Sequence, residues 1–239
     1  MLAVWKRELK QYFLTPMGSV LVGTFLLLGG AFFYVYNILS GSSDLSSMFG
    51  SMNYIFMLIA PFYTMRLLSE ERRTKTDQLL LTSPVTITSI VLGKFLAACS
   101  VLLISLVPTL VYVAVIVSYA TPYPGMIISN YIGFILIGCS YLSIGVLMSS
   151  LTENQLSAAA LTFAANLILM LLEMIGPNIS LPYMSWLTTA ISWLSLYKRY
   201  NSFMAGYISV AGILYYMSFC GIMLFLTIRV IDKRRWSEG

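Results

Sequence analysis

The chain has 239 residues, of which 59% are hydrophobic and only 10% charged; ordinary soluble domains carry roughly 25% charged residues, so a soluble globule is excluded. It contains no histidine, which removes Ser/His and Cys/His catalysis, His-metal sites and intramembrane Ser/His proteolysis together. The net charge is +5, yet the basic residues flank apolar segments instead of forming a basic domain, which points to membrane topology and away from nucleic acid.

Room exists for about six spans of roughly 20 residues and little more, so residues 1–239 read as one all-α, polytopic membrane domain. Residues 1–15 form its first element. Leu2, Trp5, Leu9 and Tyr12 recur at helical spacing with Lys6, Arg7 and Lys10 between them, predicting a basic amphipathic helix on the cytoplasmic membrane surface that ends at Thr15-Pro16. No small-residue cleavage site follows a short apolar core, so the first span is expected to be retained.

Apolar stretches long enough to span occur near residues 17–39, 52–68, 95–118, 127–149, 156–175 and 208–231. The second carries Pro61, expected to kink it, and Arg66 near its end, which can snorkel to the headgroups. Pro108 in the third and Asn166 and Glu173 in the fifth predict packing against protein on at least one side. Cys99, Cys139 and Cys220 all fall in apolar runs and read as small buried hydrophobes.

In a six-span arrangement Lys6, Arg7, Lys10, Arg66, Arg72, Arg73, Lys75, Lys94, Arg229, Lys233, Arg234 and Arg235 share one side, and only Lys198 and Arg199 lie on the other. The basic side is the cytoplasmic one, which places both termini there. Asp44 falls in the first external connection, Gly41 to Ser51. Residues 176–207 contain the apolar stretch Leu181 to Leu196, with Trp186 and Trp193. A seventh span there would put the terminal basic cluster outside, so two short re-entrant or interfacial helices are expected, with Lys198 and Arg199 near lipid phosphates.

Residues 69–94 form the second cytoplasmic connection. A charge run, Glu70-Glu71-Arg72-Arg73-Thr74-Lys75-Thr76-Asp77, leads into Gln78-Leu79-Leu80-Leu81 and then Thr82-Ser83-Pro84. Ser83 suits an N-cap and Pro84 a first helical position, so one short helix should end and another begin there. Solvated charge alone would not need three leucines. A docking surface for a cytoplasmic partner, or a helix flat on the bilayer, would.

That run, followed by Gly93-Lys94, resembles the cytoplasmic motif of permease subunits of type-2 ABC exporters, particularly the branch that includes the gliding-motility permease GldF. Lys75 stands where the family usually has glycine, and Gln78 where it has glutamate. Lys6-Arg7-Glu8-Leu9 with Pro16, Ser149-Ser150-Leu151-Thr152-Glu153-Asn154-Gln155, and the stretch from Tyr215-Tyr216 to Arg234-Arg235-Trp236 extend the similarity over nearly the whole chain. The resemblance implies two permease subunits forming the pathway, as a homo- or heterodimer, and two ATPase subunits docked on a coupling helix. Carried over by position, Glu70, Glu71, Arg72, Arg73, Lys75, Thr76, Asp77, Gln78, Leu79, Leu80 and Leu81 would be the main ATPase contact and Glu153 part of a smaller second one. An extracytoplasmic auxiliary subunit and a bacterial cytoplasmic membrane location belong to the same expectation.

No Gly-x-x-x-x-Gly-Lys-Ser/Thr pattern is present, since Gly93-Lys94 is followed by Phe95 and lacks the upstream glycine. The chain is therefore not expected to be an enzyme, to hold a cofactor or to bind a metal. ATP and Mg are expected on the partner ATPase. Asn166 and Glu173 are the candidate pathway or interface residues. A carboxylate deep in a span costs roughly 2.5–3.5 kcal/mol on insertion scales, but Gly176-Pro177 puts Glu173 near a helix end, so substrate or proton coupling and a plain helix-end hydrogen bond both stay open. Gly138 and Gly145 predict close helix packing, and Ala158, Ala159, Ala160, Ala164 and Ala165 predict packing or a subunit interface. Phe32, Phe33, Tyr34, Tyr36, Tyr54, Phe56, Phe62 and Tyr63 read as interface-belt and packing residues. An ion-coupled secondary transporter, which would need several midplane ionisable residues and internal repeats, and a non-transporting scaffold of a motility or envelope complex are the competing functions.

Overall fold

The computed structural model describes residues 1–75, 86–175 and 195–237, except the side chains of Glu173, Ile175 and residues 234–237. Among the described residues every regular element is helical. Helix α1 (Leu2–Leu14) stops at an extended Thr15, and α2 (Pro16–Phe33) starts at the next residue. Proline pushes its predecessor out of the helical region and suits the first helical position, so the dipeptide makes this corner. A π-helical segment, Tyr34–Leu39, extends α2. There the buried Asn37 amide donates to the carbonyls of Ser42 and Asp44, each at 2.9 Å.

Residues 41–51 were expected to be a loop, but α3 (Ser46–Thr64) begins inside them. Asp44 Oδ1 accepts the Ser46 amide at 2.7 Å, and this side-chain acceptor near the helix start draws the boundary forward. Among the described residues five helices are long and apolar enough to cross a membrane: Pro16–Leu39, Ile87–Tyr119, Pro124–Leu151, Gln155–Leu172 and Val210–Lys233. Helix α3, which covers most of the expected second span, is not among them. Ser46, Ser47, Ser51 and Asn53 lower its hydropathy, and thirteen of its nineteen residues are buried. A helix surrounded by protein need not be as apolar as one facing lipid.

After the short α4 (Ser69–Arg73) come α5 (Ile87–Leu106), a 3₁₀ turn over Val107–Thr109, and α6 (Leu110–Tyr119). Pro108 cannot donate to the helical ladder, and the chain tightens around it. Thr109 Oγ1 donates back to the Leu106 carbonyl at 2.6 Å and lies 2.9 Å from Tyr131 Oη. Thr86 caps α5, its hydroxyl accepting from the Ser89 amide; Ser83 and Pro84 lie outside the described residues. Then follow α7 (Pro124–Leu151), α8 (Gln155–Ile175), α9 (Leu196–Met204) and α10 (Val210–Ser237).

Helix α7 is the centre, packed against α3, α5, α8, α9 and α10. Its glycines make that possible: a Cβ at Gly145 would lie 2.1 Å from Thr64 Oγ1, and one at Gly138 would lie 2.7 Å from Leu102 Cδ2. Around it Phe25, Phe49, Phe56 and Phe134 form one aromatic cluster, with Phe56–Phe134 ring centroids 5.7 Å apart and Phe49–Phe134 5.6 Å. Of the aromatics read as interface-belt and packing residues, Phe33, Phe56 and Tyr63 are core residues. Among the five apolar helices α7 is the most enclosed and α8 the least. Ala160 and Ala164 lie on the open side of α8.

The described end of the 176–207 segment departs from a surface-lying helix. Leu196, Tyr200 and Phe203 of α9 are buried in the bundle. Tyr200 Oη donates to the Phe49 carbonyl at 3.2 Å, Ser129 Oγ to the Phe203 carbonyl at 2.8 Å, and Ser46 Oγ to the Met204 carbonyl at 2.7 Å. Arg199 sits 3.6 Å over the Tyr215 ring, turned toward protein, while Lys198 is exposed. Helix α9 is thus a plug held by backbone acceptors. Trp186, Trp193 and the rest of 176–194 lie outside the described residues. The cysteines are free, as expected, but Cys99 Sγ and Cys139 Sγ meet at 3.4 Å across α5 and α7, which their sequence spacing hides.

Candidate functional site

Val4, Glu8 and Tyr12, spaced by four, form the buried stripe of α1. This differs from the expected face: Leu2 is exposed, and Trp5 and Leu9 are only half-buried. The stripe is set by α5. Gly93 lets Val4 approach so closely that a Cβ there would sit 3.0 Å from the valine side chain, and Trp5 Nε1 donates to Ser100 Oγ at 2.9 Å. Leu2, Phe13 and Leu14 remain on the outer side of α1.

Seating α1 in this way delivers Glu8 to Lys94, which follows Gly93 and is 1% exposed. Lys94 Nζ lies 3.1 Å from Glu8 Oε1 and 2.9 Å from Glu71 Oε1. Arg7 Nη2 contacts the same two oxygens, at 2.7 and 2.8 Å. Two cations and two carboxylates thus alternate, joining α1, α4 and α5. Burial opposes the charge on Arg7, but Glu8 and Glu71 outweigh it and hold the guanidinium pKa above its ordinary value. Burial first, and then the Glu8 carboxylate, raises the Tyr12 pKa well above that of a free phenol. Tyr12 therefore stays protonated and donates to the Tyr63 carbonyl at the end of α3.

A second set of bonds ties α4 to the α7–α8 connection. Ser149 Oγ accepts the amides of Leu68 and Ser69, at 3.1 and 3.2 Å, satisfying donors at the open start of a five-residue helix. Arg72 Nη2 lies 2.8 Å from Glu153 Oε1. The main and secondary contact regions named from the sequence are therefore bonded to each other. Lys75 closes α4 at φ +56, a left-handed conformation that glycine adopts without cost. The glycine that the sequence resemblance led one to expect here would adopt this backbone without strain.

Of the expected contact residues, Glu71 faces inward, Glu70 lines a small cleft with Gln11 and Arg66, and Arg73 and Lys75 are exposed. Thr76, Asp77, Gln78, Leu79, Leu80 and Leu81 lie outside the described residues. Reading the sequence missed Glu8, Lys94 and Ser149 as a connected set. Glu8, four residues from both Val4 and Tyr12, carried a signal, as did a lysine directly after a glycine in an apolar run.

Asn166, one of the two candidate pathway residues, is fully buried and lines a cavity of about 210 Å³ with Asn53, Tyr54, Met57, Tyr141 and Met170. Glu173 lies in the last turn of α8, with its side chain outside the description. Among the described residues no group of acidic, cysteine or histidine side chains could hold a metal.

The family model for the ABC-2 family transporter protein matches residues 8–234. This spans every helix described above except the first turns of α1 and the end of α10. No curated protein matches the chain. The chain belongs to the ABC-2 transporter family, and is a multi-pass membrane component of a transporter and not its ATPase.

Proposed function

We propose that this ABC-2 family member is the permease subunit of an ATP-driven exporter, of the branch its motifs resemble, and that it couples ATP hydrolysis by a separate ATPase to substrate movement. Six helices cross the bacterial cytoplasmic membrane, α3 being the sixth, with both termini on the cytoplasmic side. Exposed Arg73 and Lys75 and the following residues Thr76 to Leu81 receive the ATPase, with Glu153 alongside. A second permease copy or a paralogue packs on the open side of α8, where Ala160 and Ala164 lie, and an extracytoplasmic auxiliary subunit completes the assembly.

The observation that carries this reading is the ion-pair network at the base of the hairpin. A partner pushing on residues 70–75 moves a unit already bonded to α5 through Lys94, to α1 through Arg7, and to α7 and α8 through Ser149 and Glu153. Helix α5 alone is about 30 Å long, enough to carry a displacement across the bilayer as a rigid rod. Glu71 in this scheme is an internal link, so the outward cations, not the whole charge run, meet the partner.

Affinity purification of the chain from its native membrane, followed by measurement of vanadate-sensitive ATP hydrolysis, tests the reading. Hydrolysis should co-purify with the wild type and be lost on charge reversal across Arg72 to Leu81. Full retention after that reversal would sink it.

A further inference from the structure

The cavity between α3, α7, α8 and α9 lies in the half of the bundle away from the ion pairs, since Asn53 precedes Thr64 by eleven residues, about 17 Å along α3. Its lining includes two amides beside three tyrosines, Tyr54, Tyr141 and Tyr197. Asn53 is 1% and Asn166 0% exposed, and Asn53 Oδ1 together with both Asn166 Oδ1 and Nδ2 has no hydrogen-bond partner. An unpaired buried polar group costs about 1–3 kcal/mol, and native proteins rarely leave several side by side. Leucine would fill either position without that cost. Two amides retained here therefore point to something that completes them.

Water alone fits the space poorly. One water needs only about 10–15 Å³ of such space, whereas the cavity holds about 210 Å³ and half of its lining is Met57, Leu169, Met170, Met174 and Leu196. Two of its lining residues, Tyr54 and Met174, are also exposed on the outer surface of α3 and α8. Among the described residues no Asp, Glu, Lys or Arg lines the cavity, so those residues offer a charged ligand no counter-charge against its desolvation.

We infer that this cavity binds a neutral amphipathic molecule that enters from the bilayer. A small headgroup carrying hydroxyl, ester or amide groups pairs with Asn53 and Asn166, and an acyl or aromatic body lies along Met57, Leu169 and Met170. The volume is below the roughly 300 Å³ at which drug-sized sites begin, so the cavity takes a headgroup and part of one chain, the remainder leaving past Tyr54. This site owes nothing to ATPase docking and stands if that reading fails.

The test uses the full chain in phosphatidylcholine nanodiscs with a photoreactive monoacylglycerol, its diazirine placed near the ester, and maps the labelled peptides by mass spectrometry. Labelling should concentrate on the segments holding Met57 and Met170 and be competed by monoolein. Asn166→Leu should weaken it about fivefold, the loss expected for one hydrogen-bonding group. Met170→Trp, which fills the space and keeps both amides, should weaken it similarly, so misfolding of one variant leaves the other to decide. Labelling spread over outward residues such as Leu27 and Ile222, and unchanged in both variants, would mean that water fills the cavity and would overturn the inference. Competition by water-soluble monobutyrin as strong as by monoolein would overturn entry from the bilayer, and equal competition by phosphatidic acid would overturn the preference for a neutral headgroup.

Discussion

The two halves of the helix bundle treat buried polar groups in opposite ways. Near the start of α5, Lys94 and Glu8 are almost wholly enclosed and each has an opposite charge within about 3 Å. In the other half, Asn53 and Asn166 are equally enclosed, and three of their polar atoms have no partner. Saturated bonding makes one half a stiff connector, because every displacement of α4 must stretch an ion pair or carry a neighbour with it. Unsaturated bonding makes the other half a receptor, because an outside group can lower the energy of the amides.

Substitutions in the two halves should therefore change stability with opposite sign. The largest effect is expected at Lys94→Met, which leaves the half-exposed Arg7 to balance both Glu8 and Glu71; removing one partner of a buried pair costs about 3–5 kcal/mol. The detergent-purified protein should melt markedly lower, and the double variant Glu8→Gln with Lys94→Met should recover part of the loss. An unchanged melt would remove the distinction between the halves. Asn166→Leu should instead stabilise the ligand-free protein, by about 1–3 kcal/mol, because it deletes two unpaired polar atoms. A fall in melting temperature there would show that the amide is already satisfied.

Smaller effects test how the connector is built. Lys75→Gly should stabilise by about 1 kcal/mol, since the left-handed backbone strains an L side chain by roughly 1–2 kcal/mol and glycine offsets part of that through its own unfolded-state freedom. The Arg72–Glu153 pair is partly exposed, with Glu153 open to solvent, so Arg72→Glu should cost only about 0.2–1 kcal/mol. Adding Glu153→Arg should restore it in a double-mutant cycle read by thermal melting.

Much of the fold was legible in the sequence because lipid and proline impose simple rules. The apolar runs located α2, α5, α7, α8 and α10, and Thr15-Pro16 fixed the corner after α1. The start of α3 was missed because the residues around it, with Asp44 accepting the Ser46 amide, form a serine-rich stretch that reads as loop. Re-entrant and interfacial helices both stayed open for 176–207, and only the acceptor at Phe49 and the donors at Ser46 and Ser129 show that α9 turns inward. The charge run from Glu70 to Lys75 stood out in the sequence, but the sequence could not divide its residues into inward and outward sets. That division depends on Lys94, a residue distant in sequence, and on the face that Gly93 imposes on α1. Asn166 was visible as a polar residue in a span; Asn53 was not singled out, because its partnerlessness is a property of three dimensions.

The account's central claim is that the charged end receives an ATPase through its outward cations while its inward charges hold the frame. It is tested most directly by the vanadate-sensitive ATP hydrolysis that co-purifies with the chain bearing Arg73→Glu and Lys75→Glu. The account predicts that this activity falls at least about tenfold, as expected for reversed charges at a contact, while the thermal melt stays within a degree or two of wild type because neither residue belongs to the buried network. Wild-type activity in the reversed variant would contradict it.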